Sequence, residues 1–285
     1  MTDTSIKHPI DVMQQGAPLQ PPRARRSRWL PAAFMTLGGL GILMFAAPLA
    51  ALLLRVPWAD AMEQLGAPET RAALSVSLLC SVSATVLCLV LGVPVAWILV
   101  RTELPGRSVL RAITTLPVVL PPVVGGVALL LAFGRDGVFG RFLDEAFGIR
   151  LAFSTHGVIL AEAFVAMPFL VLTVCGALQS ADTRMEEAAR TLGASPWTVF
   201  RRVTLPQIRP SLLYGGVLCW ARALGEFGAT ITFAGNLPGT TQTLPLAVYV
   251  ALERSPEAAI VLSLLLLAVS LSILIGLRKQ WAGGL

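Results

Sequence analysis

Residues 157–178 read GVILAEAFVAMPFLVLTVCGAL, an apolar run carrying one charge, Glu162. At about 1.5 Å rise per residue such a run spans a bilayer core of about 30 Å. Its apolar positions are continuous rather than alternating, and a helix satisfies its own backbone hydrogen bonds in lipid. The stretch therefore reads as a transmembrane helix and not a barrel strand.

Working outward, five further segments have the same character: 31–54, 73–100, 112–133, 211–234 and 258–277. Of the chain's 22 Lys and Arg and 16 Asp and Glu, the six segments contain only Glu162, Arg222 and Glu226. The 285 residues are 55% hydrophobic and 13% charged, and the mean hydropathy is +0.74. Charged residues alone make up about a quarter of an ordinary soluble domain, so this composition argues against a soluble globule. The expected fold class is an all-α polytopic membrane protein with six transmembrane helices.

Lys and Arg in short loops stay in the cytoplasm. One set of alternate flanks holds fifteen basic residues: Lys7, Arg23, Arg25, Arg26, Arg28, Arg101, Arg107, Arg111, Arg184, Arg190, Arg201, Arg202, Arg209, Arg278 and Lys279. The opposite set holds six: Arg55, Arg71, Arg135, Arg141, Arg150 and Arg254. Both termini are expected in the cytoplasm. The formal net charge of +6 sorts by membrane side rather than clustering with stacking aromatics, so no nucleic-acid partner is expected. Trp29, Trp58, Trp97 and Trp281 fall at expected helix ends, where an amphipathic ring suits the lipid headgroups.

Residues 1–28, with PLQPP at 18–22 followed by arginines, read as a disordered cytoplasmic tail. Residues 29–69 read as a first, retained transmembrane helix and an outer loop, 70–277 as the main transmembrane domain, and 278–285 as a cytoplasmic C-terminal tail. The outer loops 55–72, 134–156 and 235–257 are too short to hold a soluble domain. Cys80, Cys88, Cys175 and Cys219 all lie within expected helices without CxxC spacing, and read as small packing residues. In the third helix LPVVLPPVVGG, residues 116–126, three prolines remove backbone donors and predict a kink or break. Such breaks face protein or a watery cavity in transporters; a packing bend is the alternative.

The one long inner loop contains EEAARTLGASPWTVFRRVTLP at 186–206. It predicts two short helices. The first covers about 182–192, with Asp182 at its start and Gly193 as breaker. In the second, Ser195 caps, Pro196 occupies the first turn, and Leu205–Pro206 ends the helix. Trp197, Phe200 and Val203 recur every three residues as an apolar stripe. A helix pair without a core of its own requires a membrane surface or a protein groove.

Glu187–Ala188–Ala189, Gly193 and Val203–Thr204–Leu205–Pro206 resemble the EAA loop of ABC importer permeases, E-A-A-x-x-x-G-x(9)-I-x-L-P, departing only in Val203 for Ile. The resemblance implies the type I importer permease fold and a coupling loop, 182–206, seated in a groove of a cytoplasmic ATPase subunit. By position, Glu187, Ala188, Ala189, Gly193, Leu205 and Pro206 would be its coupling residues. Residues 222–236, RALGEFGATITFAGN, with Pro238–Gly239 and TLPLAVY at 243–249, resemble the molybdate and sulfate permease subfamily, most closely its molybdate members. The implied assembly has two permease copies, two ATPase subunits and a periplasmic oxyanion-binding protein in the bacterial inner membrane. The implied cargo is molybdate, with tungstate and sulfate as alternatives.

A charge at the bilayer centre costs about 2.5–3.5 kcal/mol even on insertion scales, so the three intramembrane charges must face protein or water. Arg222 and Glu226 stand four apart and can pair on one helix face. Alternatively Arg222 supplies a positive field to a crossing oxyanion while Glu226 orients it. Thr230, Thr232 and Asn236 are candidate lining groups, and Glu162 is a partner for Arg222 or a gate contact. With only Lys7 and Lys279 in the chain, no Gly-x-x-x-x-Gly-Lys-Ser/Thr loop exists, so ATP must be hydrolysed elsewhere. No HExxH, GxSxG or histidine-rich metal cluster occurs either; His8 and His156 stand apart. No cofactor is expected. A secondary transporter or channel is the rival from another class, and it has no need of the 182–206 loop. An intramembrane enzyme would need a nucleophile or metal ligands beside Glu162 and Glu226.

Overall fold

The computed structural model describes residues 29–281. The expected tail at 1–28 and residues 282–285 lie outside the described residues. Long apolar runs, closed by Gly, Pro and polar turns, give an all-helical chain in this order: α1 (Trp29–Leu54), α2 (Trp58–Gly66), α3 (Pro68–Arg101), α4 (Arg107–Val119), α5 (Pro122–Phe133), α6 (Val138–Phe147) and α7 (Thr155–Ser180). There follow α8 (Thr183–Thr191), α9 (Pro196–Val199), a π-helical turn (Phe200–Thr204), α10 (Leu205–Leu224), α11 (Gly228–Phe233), α12 (Leu244–Arg254) and α13 (Pro256–Trp281). The chain divides between Ala51 and Leu52 into two units. The first consists of α1 up to Ala51.

Four of the six expected spans contain a single uninterrupted helix long and apolar enough to cross a membrane, in α1, α3, α7 and α13. The other two are divided. The span 112–133 breaks between α4 and α5 at Leu120–Pro121, as its prolines predicted. The span 211–234 breaks between α10 and α11 at 225–227, where no proline stands. At the C-terminal end α13 continues to Trp281.

The second unit is built on α3, α7 and α10. Their facing positions are small or slender: Ala84, Cys88 and Ala96 on α3, Ala163, Ala166 and Leu170 on α7, and Cys219 and Ala223 on α10 are all buried in one cluster. Lipid tails are as apolar as leucine, so close van der Waals packing of small residues holds such helices together. The cysteines take the packing role expected of them: all four are free and buried. Cys88 Sγ lies 3.5 Å from the Ala163 carbonyl, and Cys175 Sγ lies 3.8 Å from that of Ala96.

The second halves of the two broken spans, α5 and α11, pack on each other. A Cβ at Gly126 would stand 2.6 Å from Thr232 Cβ and 2.9 Å from the Ala229 carbonyl oxygen. A Cβ at Gly228 would stand 2.9 Å from Pro122 Cβ. The two breaks are therefore neighbours, and glycine is what lets the backbones meet there.

Candidate functional site

Two places gather the residues singled out from the sequence: the loop between α7 and α10, and the break between α10 and α11.

In the loop, Asp182 caps α8 by accepting the Arg184 amide at 2.9 Å. Gly193 then takes φ +83°, the left-handed conformation that reverses the chain after a helix. Ser195 caps α9, accepting the Thr198 amide at 3.3 Å, and Pro196 occupies its first turn. These features follow the sequence reading.

The end of the second helix does not. Leu205–Pro206 was expected to stop it, yet the backbone runs through the π turn directly into α10. The Leu205 amide reaches the Phe200 carbonyl, one residue further back than in an α-helix. Proline has no amide to donate and its ring crowds the carbonyl four residues earlier; at the start of α10, just after the widened turn, it is tolerated. Within the second helix the side chains divide by surroundings. Val199 is the residue buried against the body of the protein, whereas Trp197 is 66% exposed. The Trp197 and Phe200 rings stack at 5.8 Å and, with Val93, Pro94, Trp97 and Ile98 of α3, line an apolar groove.

The coupling residues carried over from the motif divide by surroundings. Glu187, Ala188, Gly193 and Pro206 are exposed, and Ala189 and Leu205 are half-buried. Leu192, between them, is 88% exposed. Exposed apolar and acidic side chains on a capped, well-formed helical turn form a surface able to enter a partner's groove.

Glu186 escaped the sequence reading. It is buried, and its Oε1 accepts from Arg101 Nη2 at 3.0 Å and from Thr204 Oγ1 at 3.0 Å. Arg190 Nη2 lies 3.9 Å from its Oε2. A second tie, Gln207 Oε1 accepting the Asp182 amide at 3.1 Å, joins the loop's two ends. Only the spacing of Glu186 and Arg190, four apart on one helix, was available in sequence.

At the break, α10 ends at Leu224 and Gly225. Arg222 Nη1 lies 2.6 Å from Glu226 Oε2, so the structural pair expected from their spacing is formed. Glu226 is not on the same helix, however. It lies within the break, and its Oε1 accepts the Ala229 amide at 2.8 Å, satisfying a donor at the start of α11. The Arg222 side chain is 28% exposed, whereas that of Glu226 is buried at 1%. Glu162, the other intramembrane acid, forms no ion pair with Arg222 among the described residues. Its Oε2 is buried without a hydrogen-bond partner.

The candidate lining groups are dispersed in environment. Thr230 is fully buried, with an unpartnered Oγ1. Thr232 donates to the Gly228 carbonyl at 2.8 Å and packs on Gly126. Asn236 is half-buried with an unpartnered Oδ1.

Residues 88–280 match the family described as binding-protein-dependent transport system inner membrane component. The molybdenum transport system permease protein ModB of Mycobacterium tuberculosis is 49% identical over 242 residues, covering 84% of this chain and 90% of that protein. The protein of the same name from Escherichia coli is 42% identical over 214 residues, 75% of this chain and 93% of that one. The sulfate transport system permease protein CysT of Escherichia coli is 37% identical over 240 residues, 83% and 86% of the two chains. Among solved structures, a bacterial ABC transporter involved in the import of the acidic polysaccharide alginate superposes with a TM-score of 0.71 at 18% identity, over 88% of this chain and 94% of that chain. The MetNI methionine ABC transporter superposes with a TM-score of 0.57 at 21% identity, over 74% and 94%. At those identities the superpositions establish the fold.

Proposed function

We propose, from the premise that this chain belongs to the family of binding-protein-dependent transport system inner membrane components, that it is the membrane-spanning permease subunit of an ABC importer for molybdate. It is a multi-pass inner membrane protein and a transport subunit, not an enzyme. Identity of 49% to a molybdenum permease over 84% of the chain, against 37% to a sulfate permease, is the observation that carries the substrate.

The partners follow from this reading. A cytoplasmic ATPase subunit takes the 182–206 loop into a groove, through Glu187, Ala188, Ala189, Gly193, Leu205 and Pro206. A periplasmic oxyanion-binding protein delivers cargo on the other side, and two copies of the chain, each crossing the lipid six times with both termini cytoplasmic, form the pathway. ATP-driven closure of the ATPase pair draws the two loops together and turns the pathway outward; hydrolysis resets it. The exposed Glu187, Ala188 and Leu192 support this role for the loop, as does its joining to α10 without a hinge.

Inside the membrane, Arg222 faces the crossing oxyanion with Glu226 fixing its orientation. The contact must be weak, since a pathway that held a dianion firmly would not release it. Thr230, Thr232, Asn236 and Glu162 are assigned to the pathway or its gate on the same reading.

Proteoliposomes containing this chain, its ATPase subunit and a molybdate-loaded binding protein test the function. Expected is ATP-dependent accumulation of molybdate, with no uptake by the chain alone. Uptake by the chain alone, driven by an ion gradient, overturns the assignment; accumulation of sulfate in preference to molybdate overturns the substrate.

A further inference from the structure

The geometry points to Glu186 as the positioning residue that ties the coupling loop to α3. This rests on the loop's role under Proposed function, but concerns a residue outside the exposed set that meets the ATPase.

Three elements converge on one carboxylate. Arg101 is the last residue of α3, and its Nη2 reaches Glu186 Oε1 at 3.0 Å. Thr204, in the π turn that leads into α10, donates to the same oxygen at 3.0 Å. Glu186 itself lies in the first turn of α8. The side chains of Glu186 and Arg101 retain 7% and 17% exposure, so the pair is little screened by water. A charge-assisted, hydrogen-bonded contact of this kind is directional. The loop joins α7 and α10 through the peptide backbone, with Gln207 of α10 also holding the Asp182 amide; its charge-paired link to α3 runs through Glu186. Since α3 packs along α7 and α10 in the same buried cluster, this tie makes the three core helices respond together.

The test uses the full complex of permease, ATPase and binding protein in proteoliposomes, comparing Glu186→Gln, Arg101→Gln and the double variant. Arg101→Gln leaves the sequence of the loop intact, and retained copurification with the ATPase separates its effect from a misfolded loop. The expected result is that both single variants copurify with the ATPase and hydrolyse ATP, while molybdate accumulated per ATP hydrolysed falls about fivefold or more. The double variant falls no further than either single one. An unchanged ratio in both single variants overturns the proposal. So does loss of ATPase copurification in both, because Glu186 would then hold only the loop's fold. A wild-type complex that never forms, or never imports with ATP, removes the coupling reading itself and this inference with it.

Discussion

Arg222, at the end of α10, forms a 2.6 Å ion pair with Glu226, which lies in the break between α10 and α11, and the acid's other oxygen holds the Ala229 amide of α11 at 2.8 Å. One carboxylate thus neutralises an intramembrane cation and supplies the hydrogen bond that the interrupted backbone lacks. Glu226→Ala removes both and strands a charge. Breaking a buried pair from one side costs about 3–5 kcal/mol. Thermal unfolding of the detergent-solubilised complex should show that loss, with uptake abolished. Arg222→Lys should keep most of the stability and reduce uptake, because an ammonium lacks the planar donor fork.

The meeting of α5 and α11 gives a steric prediction. Gly126→Ala puts a methyl 2.6 Å from Thr232 Cβ and 2.9 Å from backbone at Ala229. Overpacking of this sort costs about 1–3 kcal/mol. Gly176→Ala on α7 meets nothing within 4 Å and should be neutral or slightly stabilising. Melting curves of the two variants, measured side by side, check the contrast.

At Gly193 the space is open, and the constraint is the backbone: φ is +83° with nothing within 4 Å of an added Cβ. Gly193→Val should cost about 1–2 kcal/mol of left-handed strain. Gly193→Asn, which tolerates that conformation, should fold like the wild type. If the turn sits in the ATPase groove, the Asn variant will still lose molybdate uptake despite its normal melting temperature.

Leu192 offers the complementary case. At 88% exposure it contributes little to the fold, and Leu192→Glu should change stability by no more than about 0.5 kcal/mol. Affinity for the ATPase subunit, measured by copurification or surface binding, should drop about tenfold or more, equivalent to about 1.4 kcal/mol.

The contrast between what was and was not readable in the sequence follows from which residues carry local information. The break at Leu120–Pro121 was visible because Pro117, Pro121 and Pro122 lack amides wherever they stand. The break at 225–227 has no such marker. Arg222 and Glu226 have helical spacing, and only a structure shows that Glu226 stands beyond the helix. The caps at Asp182, Ser195 and Gly193 are local and were legible. Leu205–Pro206 was misread as a stop because a π turn, which lets proline follow within a continuous helix, has no sequence signature here. Glu186 and Glu187 are adjacent residues of one type, and the motif picks out only Glu187. What buries Glu186 is Arg101, 85 positions away, a contact no periodicity reveals.

A thiol-reactive photocrosslinker at Glu187→Cys, in the assembled complex, asks whether the 182–206 loop enters the ATPase. The four native cysteines are buried, so the new exposed thiol takes the label. The expected product is a permease–ATPase adduct whose yield changes with ATP. Adducts only to lipid or to a second permease copy, in a complex that still imports molybdate, would contradict the assignment of this loop to the motor.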